Sequence, residues 1–240
     1  LIEQALAREA LRLSYIQHQA LSAGLKGGQK ARNFDTVFAP SNHTPHIDSM
    51  TLNLIIGSGG VLSHAPMPAQ TAAMLIDAFL PEGVTRLAKD TIFMMPHLGA
   101  LLDVVPEAAW DVFEKDCLQE LCTCVAPVGK GQVGTPCLEY RLVENGEPIK
   151  KGDLKVGEIQ VVPFREGKEA ELQLLPGRRF DVGAGKGKRW TGEISGSPVG
   201  IVLDGRGRPL IWSDDPEERM RNTGHWLGII GAMGSGGGGA

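Results

Sequence analysis

The sequence predicts an α/β unit followed by a β-rich domain and a C-terminal helix. An amphipathic pattern opens the chain, and an apolar run, LNLIIG, then ends in a glycine turn before an alanine-rich stretch. Near residue 120 the pattern changes to short β-rich runs separated by turn residues. Helix and strand patterns alternate ahead of that point, which is typical of an α/β unit.

The first element is an amphipathic helix that we predict to end near Gly24. Its apolar positions fall near helical spacing, with charged residues largely between them; they are Ile2, Leu6, Leu13, Ile16, Ala20 and Leu21. The chain starts inside this pattern, so we expect further sequence ahead of Leu1. A segment rich in turn formers and without clear periodicity follows the helix.

Five further elements complete the predicted α/β unit. LNLIIGSGG predicts a strand buried on both faces, and PAQTAAMLIDAF predicts a helix. PEGVTRLAKD predicts a second helix that begins at Pro81, and TIFMM predicts another buried strand. Pro106 then opens a helix with Trp110 and Phe113 on one face.

The β-rich region is predicted to be a sheet or small barrel of short strands. Asn145 and Gly146 lie between two strand-like runs and predict a hairpin. Pro216, Glu217 and Glu218 occupy the first turn of a final helix, where the helix dipole favours acidic side chains. We therefore divide the chain into an α/β half-domain (1–118), a β-rich domain (119–213), a C-terminal helix (214–232) and a flexible glycine-rich tail (233–240).

Composition excludes several classes of function. The chain is 42% hydrophobic and 22% charged with a formal charge of −4, so nothing draws it electrostatically to nucleic acid. Residues 49–76 lack Asp, Glu, Lys and Arg, but polar residues, glycines and prolines interrupt them, and we predict neither a membrane span nor a signal peptide. The four cysteines cluster unlike a disulfide framework, which favours a reducing, cytoplasmic setting.

The glycine turn, residues 57–61, is the first candidate site. Glycines after a buried strand allow backbone N–H groups to approach a bound phosphate. The same pattern also suits a strand-to-helix turn with no ligand, and short glycine motifs alone do not separate the two readings.

Histidines and cysteines give weaker signals. His64 and His97 follow predicted strands and could act together in acid/base chemistry or bind a metal, whereas His43 and His46 favour solvated loop positions. Cys117, Cys122 and Cys124 lack the paired spacing of a zinc site, so we interpret them as small buried residues. No metal is predicted.

A basic, glycine-containing segment, PGRRFDVGAGKGKRW, is the remaining candidate. Arginine side chains and glycine-rich backbone suit oxyanions, so this segment could bind phosphate or an acidic partner surface. A solvated hairpin end is the alternative. Its cations are Arg178, Arg179, Lys186, Lys188 and Arg189.

Taken together, several stretches resemble one family. IIGSGGVLSHAPMPAQTAAMLIDAFLPEGVTRLAKDTIFMMPHLGAL, LLPGRRFDVGAG and VGIVLDGRGRPL resemble the MutL/GlmL family, accessory proteins of adenosylcobalamin-dependent glutamate mutase. This family is distinct from the mismatch-repair protein of the same name. The resemblance runs from about residue 1 to about residue 230, in order and nearly without gaps.

The resemblance implies the second lobe of an actin-like ATPase fold, in which two lobes close over ATP or ADP with Mg²⁺. It assigns nucleotide contact to Gly57, Ser58, Gly59, Gly60 and Val61. The DxGxT-like turn of a first lobe does not occur ahead of residue 55, so that lobe would be a separate or missing part. No catalytic aspartate is assigned, although Asp77, Asp90 and Asp103 lie nearby in sequence.

The resemblance implies an ATP-dependent reactivating or chaperone-like protein for a cobalamin-dependent mutase. The β-rich domain and its basic segment are then the candidates for contact with that enzyme. Two alternatives stay open: a small-molecule kinase or ATP-dependent hydrolase of the same fold, and a binding module without catalytic activity.

Overall fold

The computed structural model describes residues 2–24 and 47–233, which form a mixed α/β fold. The helices are Ile2–Gly24 (α1), Gly60–Ser63 (α2), Pro68–Phe79 (α3), Met95–Leu101 (α4), Pro106–Val112 (α5) and Pro216–Ile230 (α6). The strands are Leu54–Gly57 (β1), Gly83–Asp90 (β2), Leu118–Ala126 (β3), Val128–Gly129 (β4), Pro136–Glu144 (β5), Glu147–Lys155 (β6), Ile159–Val162 (β7), Glu169–Pro176 (β8), Phe180–Asp181 (β9), Trp190–Ser195 (β10) and Gly200–Asp204 (β11). The predictions made for His43, His46 and the flexible tail at residues 234–240 concern positions outside these described ranges.

A five-stranded mixed sheet forms the centre of the fold, in the order β1-β2-β3-β11-β7. Strands β1 and β2 are parallel, β2 and β3 are antiparallel, and β3 and β11 are parallel. The carboxyl ends of β1 and β2 therefore lie side by side, with Gly57 paired to Lys89. This edge carries the glycine turn.

The central sheet is buried on both faces by different layers. Alternate residues of β11 show this division, because Val202 joins the core shared with α3 and α6, whereas Ile201 and Leu203 join the core of the β-rich region. A four-stranded antiparallel sheet, in the order β10-β8-β5-β6, supplies most of that second core. Apolar burial on both faces stabilises the central sheet.

The predicted β-rich pattern is confirmed strand by strand. Asn145 and Gly146 join β5 to β6 with φ of 52° and 84°, the left-handed geometry of a tight hairpin turn. The central sheet takes β1 and β2 from one side of residue 118 and β3, β7 and β11 from the other side. The division of the chain into domains stays a prediction.

The predicted helix at Pro81 is wrong, because residues 83–90 form strand β2. The strand pairs with β1 on one side and β3 on the other, so Leu87 and Ala88 are completely buried. Leu80 and Gly83 have positive φ and turn the chain out of α3 into this strand. Long-range pairing decides the conformation here, and local helix propensity does not.

The predicted strand TIFMM is also wrong. Residues 91–94 form a bend that leads into α4, and Ile92 and Phe93 are 54% and 46% exposed. The helix predicted from Pro106 is confirmed at its start, but it ends in a π-helical turn, Phe113–Cys117, and the chain then enters β3. Strand β1 lies at the edge of the central sheet and is half-buried, not buried on both faces as predicted.

Helix α1 is confirmed, but the face that its pattern indicates is not the face that packs. Leu11 and Ala7 contact the core through α3, and the Tyr15 ring meets the Phe79 ring edge-on at 5.2 Å. The residues of the predicted apolar face are exposed instead, with Ile2 at 79% and Leu6 at 67%. One side of α1 is therefore fixed to α3, and the opposite side is apolar and uncovered by the described residues.

The C-terminal helix is confirmed. Asp215 caps α6 by accepting a hydrogen bond from Glu217 N at 3.0 Å, and Gly231 ends it with a φ of 80°. Trp226 and Ile230 bury its inner face in the core beside α3. In the part of the chain that the structure describes, no helix has the length and apolar character needed to cross a membrane.

Candidate functional site

The glycine turn connects the edge strand β1 to the short helix α2. Gly57 ends β1, and Gly59 adopts a φ of 117° directly before α2. The hydrogen bonds of α2 start at Leu62 N and Ser63 N, which both donate to Gly59 O. The N–H groups of Gly60 and Val61 precede these bonds, as the first amides of a helix do.

Different structural constraints apply to Gly57, Gly59 and Gly60. A Cβ on Gly57 would lie 3.0 Å from Leu75 Cδ2 and 3.1 Å from Leu62 Cδ1, so the packing of the core already favours a glycine there. Gly59 needs its positive φ. Gly60 has neither constraint, because a Cβ would meet nothing within 4 Å. Of these three glycines, only Gly60 is required neither by packing nor by its backbone conformation, and its backbone is accessible.

Asp90 holds the glycine turn against α4. Its carboxylate accepts hydrogen bonds from Ser58 Oγ at 3.1 Å and from Met95 N at 2.8 Å, Met94 N at 3.2 Å and Ile92 N at 3.3 Å. Burial raises the pKa of Asp90, but these hydrogen bonds outweigh burial and leave the pKa below its ordinary value. The side chain is thus an ionised anchor of two loops.

Lys89 lies beneath the same turn. Its Nζ donates a 3.1 Å hydrogen bond to Ser63 O at the end of α2, and the residue is only 6% exposed. Burial lowers the pKa of this ammonium group. The sequence pattern did not indicate Lys89 and Asp90 as neighbours of the turn, because residues 81–90 were predicted to be helical. Their position as adjacent residues at the end of a strand is the signal that would have found them.

An apolar recess of about 240 Å³ opens beside the turn, between α4 and α5. Ile56 of β1, directly before Gly57, forms part of its wall. Leu98 and Phe113 line it from the helices, and Trp110 at its rim is 56% exposed. The recess has the apolar character that suits an aromatic ring, and Ile56 connects its wall to the glycine turn along the chain.

A second cluster, the ion network, lies at the end of β11. Asp204 is completely buried and binds the Arg206 guanidinium through two bonds, Nε at 2.9 Å and Nη2 at 2.8 Å. Arg208 Nη2 is 2.9 Å from the same carboxylate. Arg206 Nη1 reaches Asp77 Oδ1 of α3 at 2.9 Å, a charge contact without hydrogen-bond alignment, and Arg8 Nη1 of α1 pairs with Asp77 Oδ2 at 3.2 Å.

Charge balance explains why the ion network tolerates burial. Burial raises the pKa of Asp204, but the charges of Arg208 and Arg206 outweigh it and lower the pKa far below its usual range. Arg206 also lies 5.0 Å from the centre of the Trp226 ring of α6. The network therefore joins α1, α3, β11 and α6. The sequence signal for it is an aspartate after an apolar strand with arginines two and four residues later.

The other candidate residues do not form a site. His64 ends α2 and His97 lies in α4, both exposed, and the described residues contain no group of three or more His, Cys, Asp or Glu that could hold a metal. Asp103 is exposed. All four cysteines are buried free thiols, which confirms the prediction of buried positions for Cys117, Cys122 and Cys124. Burial raises the pKa of Cys124 and of Cys137 to about 12, so neither forms a nucleophilic thiolate at neutral pH.

The basic surface consists of the five cations of the loop between β8 and β10. Asp181 holds this loop by accepting hydrogen bonds from Gly183 N at 2.8 Å and Gly185 N at 2.9 Å. The five side chains are exposed, and none has an ion pair within residues 2–24 and 47–233. They are Arg178, Arg179, Lys186, Lys188 and Arg189.

The fold and the site define an α/β protein with a glycine turn at the carboxyl ends of two parallel strands. Residues 1–117 match the family model described as MutL protein. This match confirms the resemblance to the MutL/GlmL family, the glutamate mutase accessory proteins, over that part of the chain. No curated protein and no solved structure matches the chain significantly.

Proposed function

We propose that the protein is an accessory protein of an adenosylcobalamin-dependent mutase of the glutamate mutase type and that it binds ATP or ADP with Mg²⁺ at the glycine turn. The family match over residues 1–117 is the observation that carries this proposal, because it covers the turn and all the elements around it. The resemblance further implies that the turn belongs to the second lobe of an actin-like ATPase fold.

The geometry of the turn supports nucleotide contact. Gly60 is exposed and has no neighbour where a side chain would lie, so a phosphate or sugar can approach its backbone closely. The apolar recess beside Ile56 offers space for a flat ring. A nucleotide held there changes mutase affinity only if it binds the open and closed states of the protein unequally.

A kinase or hydrolase of the same fold is the alternative enzyme, and a module without nucleotide affinity is the alternative binding protein. Asp90 does not favour the enzyme, because all its hydrogen bonds serve the fold. Titration calorimetry with ADP and Mg²⁺ separates these functions, and it should be done on this chain and on a version that includes any first lobe. If neither protein releases or absorbs heat on addition of nucleotide, the binding module is favoured.

Gly60→Val is expected to weaken ADP binding about tenfold or more while the protein stays folded, because the added side chain occupies only open space in the absence of nucleotide. Gly59 is a poorer choice, since its φ of 117° would strain any substitution. Calorimetry with ADP and Mg²⁺ measures the affinity. The substitution is made in whichever protein binds ADP, this chain alone or the version that includes a first lobe.

Gly228→Val is the matched control for this experiment. Gly228 is an exposed helix residue whose Cβ would also meet nothing within 4 Å, and it lies in α6, away from the turn. Its substitution should leave ADP affinity unchanged. Equal affinity of the Gly60→Val protein and the control would remove the glycine turn from the nucleotide site.

The basic surface is the proposed contact with the mutase. Its five exposed cations lack acidic partners among the described residues, so an acidic surface on another protein would not have to displace existing ion pairs. Deleting residues 119–213 is a poor test of this contact, because it would remove β3, β7 and β11 from the central sheet. Charge reversal on the surface leaves the core intact.

The combined variant Arg178→Glu, Arg179→Glu and Lys186→Glu should weaken capture of purified glutamate mutase by about tenfold or more at low salt, since attraction becomes repulsion. A pull-down at several salt concentrations measures this. Glutamate substitutions at Lys150, Lys151 and Lys155 on the edge strand β6 add the same charge elsewhere and serve as the control. If both variants capture the mutase as well as the unaltered protein, the contact lies on another face.

A further inference from the structure

The uncovered side of α1 carries a regular apolar stripe. Its members follow one another at intervals of four, three, four, three and four residues, the spacing of a helix that packs against another helix. They are Ile2, Leu6, Glu9, Leu13, Ile16 and Ala20. Ile2, Leu6, Leu13 and Ile16 are 79%, 67%, 52% and 49% exposed. We call these six residues the α1 stripe.

The α1 stripe is presented on a fixed helix. On its other side, α1 is held to α3 by the Tyr15–Phe79 ring contact and by the ion pair of Arg8 with Asp77. Helix α3 occupies the inner side of α1, whereas the large apolar members of the stripe stay exposed in the described part of the structure, so the stripe is open to a partner from outside. Exposed apolar surface of this regularity marks an interaction site.

We propose that the α1 stripe pairs antiparallel with the α1 stripe of a second copy of the chain. Read in the reverse direction, the stripe matches itself: Ile2 faces Ala20, Leu6 faces Ile16, and Glu9 faces Leu13. Every apolar member except Leu13, which faces Glu9 in both halves of the dimer, then meets another apolar member. This self-match is the property that a two-fold symmetric interface requires.

The charge of Glu9 also favours an antiparallel arrangement of the two α1 helices. Parallel pairing would place the two Glu9 carboxylates opposite each other in the seam, whereas antiparallel pairing separates them. Arg12 of the same chain binds Glu9 at 2.6 Å and 2.8 Å, which compensates the carboxylate at the edge of the stripe. Antiparallel helices also oppose their macrodipoles favourably.

The interface is small. The stripe spans about 27 Å at 1.5 Å per residue, one helix wide. It therefore covers less than the ~800 Å² per partner of a standard interface, and the dimer should dissociate on dilution. This inference depends neither on nucleotide binding nor on the mutase.

Sedimentation equilibrium from about 1 to about 300 µM, a range that covers such weak association, tests the proposal. The full chain should pass from 25.7 kDa toward twice that mass as its concentration rises. Leu6→Glu and Ile16→Lys should each weaken the dimer about tenfold or more. Ser14→Glu, an exposed α1 position off the stripe, should leave it unchanged. A monomer at every concentration would overturn the proposal.

Mixing the two variants tests the register. In the antiparallel dimer, residue 6 of one chain faces residue 16 of the other, so Leu6→Glu and Ile16→Lys proteins should form a mixed dimer that neither forms alone. Circular dichroism confirms that both variants are folded. A mixture that stays monomeric while the unaltered chain dimerises would refute the antiparallel pairing, as would association unaffected by either substitution.

Discussion

Arg206→Met is expected to lower the free energy of unfolding by about 3 kcal/mol, because it leaves a buried carboxylate with one of its two cations removed. Asp204 is completely buried and loses both bonds of the guanidinium. The value lies at the lower end for a broken buried pair, since Arg208 remains 2.9 Å away. Urea unfolding followed by circular dichroism measures the change.

Arg219→Met is the matched control, because Arg219 is an exposed arginine of α6 without an ion pair in the described part of the chain. It should change stability by less than about 0.5 kcal/mol. If Arg206→Met proves too unstable to purify, Arg206→Lys keeps the charge but not the paired hydrogen bonds and should give an intermediate loss. Equal stability of the Arg206 variants and the control would mean that the ion network contributes nothing.

The same network predicts an acid dependence. The arginines hold the pKa of Asp204 below its ordinary value of about 3.9, so this carboxylate stabilises the fold above that pH and loses its contribution as the pH falls further. Removing Arg206 brings the folded and unfolded pKa values closer. The Arg206→Met protein should therefore lose less stability between neutral and acid pH than the unaltered protein does.

Asp90→Ala is expected to destabilise the protein by about 2–4 kcal/mol, since it leaves three part-buried N–H groups without their charged acceptor. The N–H groups of Met94 and Met95 at the start of α4 lose their partner, and so does the Ser58 hydroxyl of the glycine turn. Hydrogen exchange at α4 and at residues 58–63 should accelerate together, because one carboxylate holds both segments.

Asp103→Ala provides the control for this prediction. Asp103 follows α4, is exposed and makes no side-chain hydrogen bond in the described part of the structure, so its removal should change neither stability nor exchange. Ser58→Ala removes only one of the four bonds to Asp90 and should cost about 1 kcal/mol. Normal exchange at α4 in the Asp90→Ala protein would show that another contact anchors this helix.

Local signals predicted those elements whose conformation their own residues determine. Asn145 and Gly146 suit the left-handed turn of a hairpin and occur there, and Pro216 with its acidic neighbours begins α6. The alternating Cys122 and Cys124 lie on one buried face of β3, because both belong to the core shared with α3. In each case the local sequence is sufficient to determine the local conformation.

The predictions of secondary structure were wrong where residues distant in sequence determine the local conformation. Residues 83–90 become a strand because β1 and β3 flank them, and no local pattern shows those neighbours. Ile92 and Phe93 are apolar yet exposed, because the Asp90 side chain captures the following amides and bends the chain. The ion network joins Asp204 to Asp77 across more than a hundred residues, so spacing alone could not reveal it.

Strand β11 comes last in sequence among the strands of the described residues, yet it takes an interior place in the central sheet, between β3 and β7. During synthesis, β3 and β7 leave the ribosome first and present unpaired strand edges until residue 204 has emerged. Such edges invite pairing with other nascent chains. Completion of the central sheet therefore waits for a single five-residue strand, and a chain that lacks it exposes the facing edges of β3 and β7.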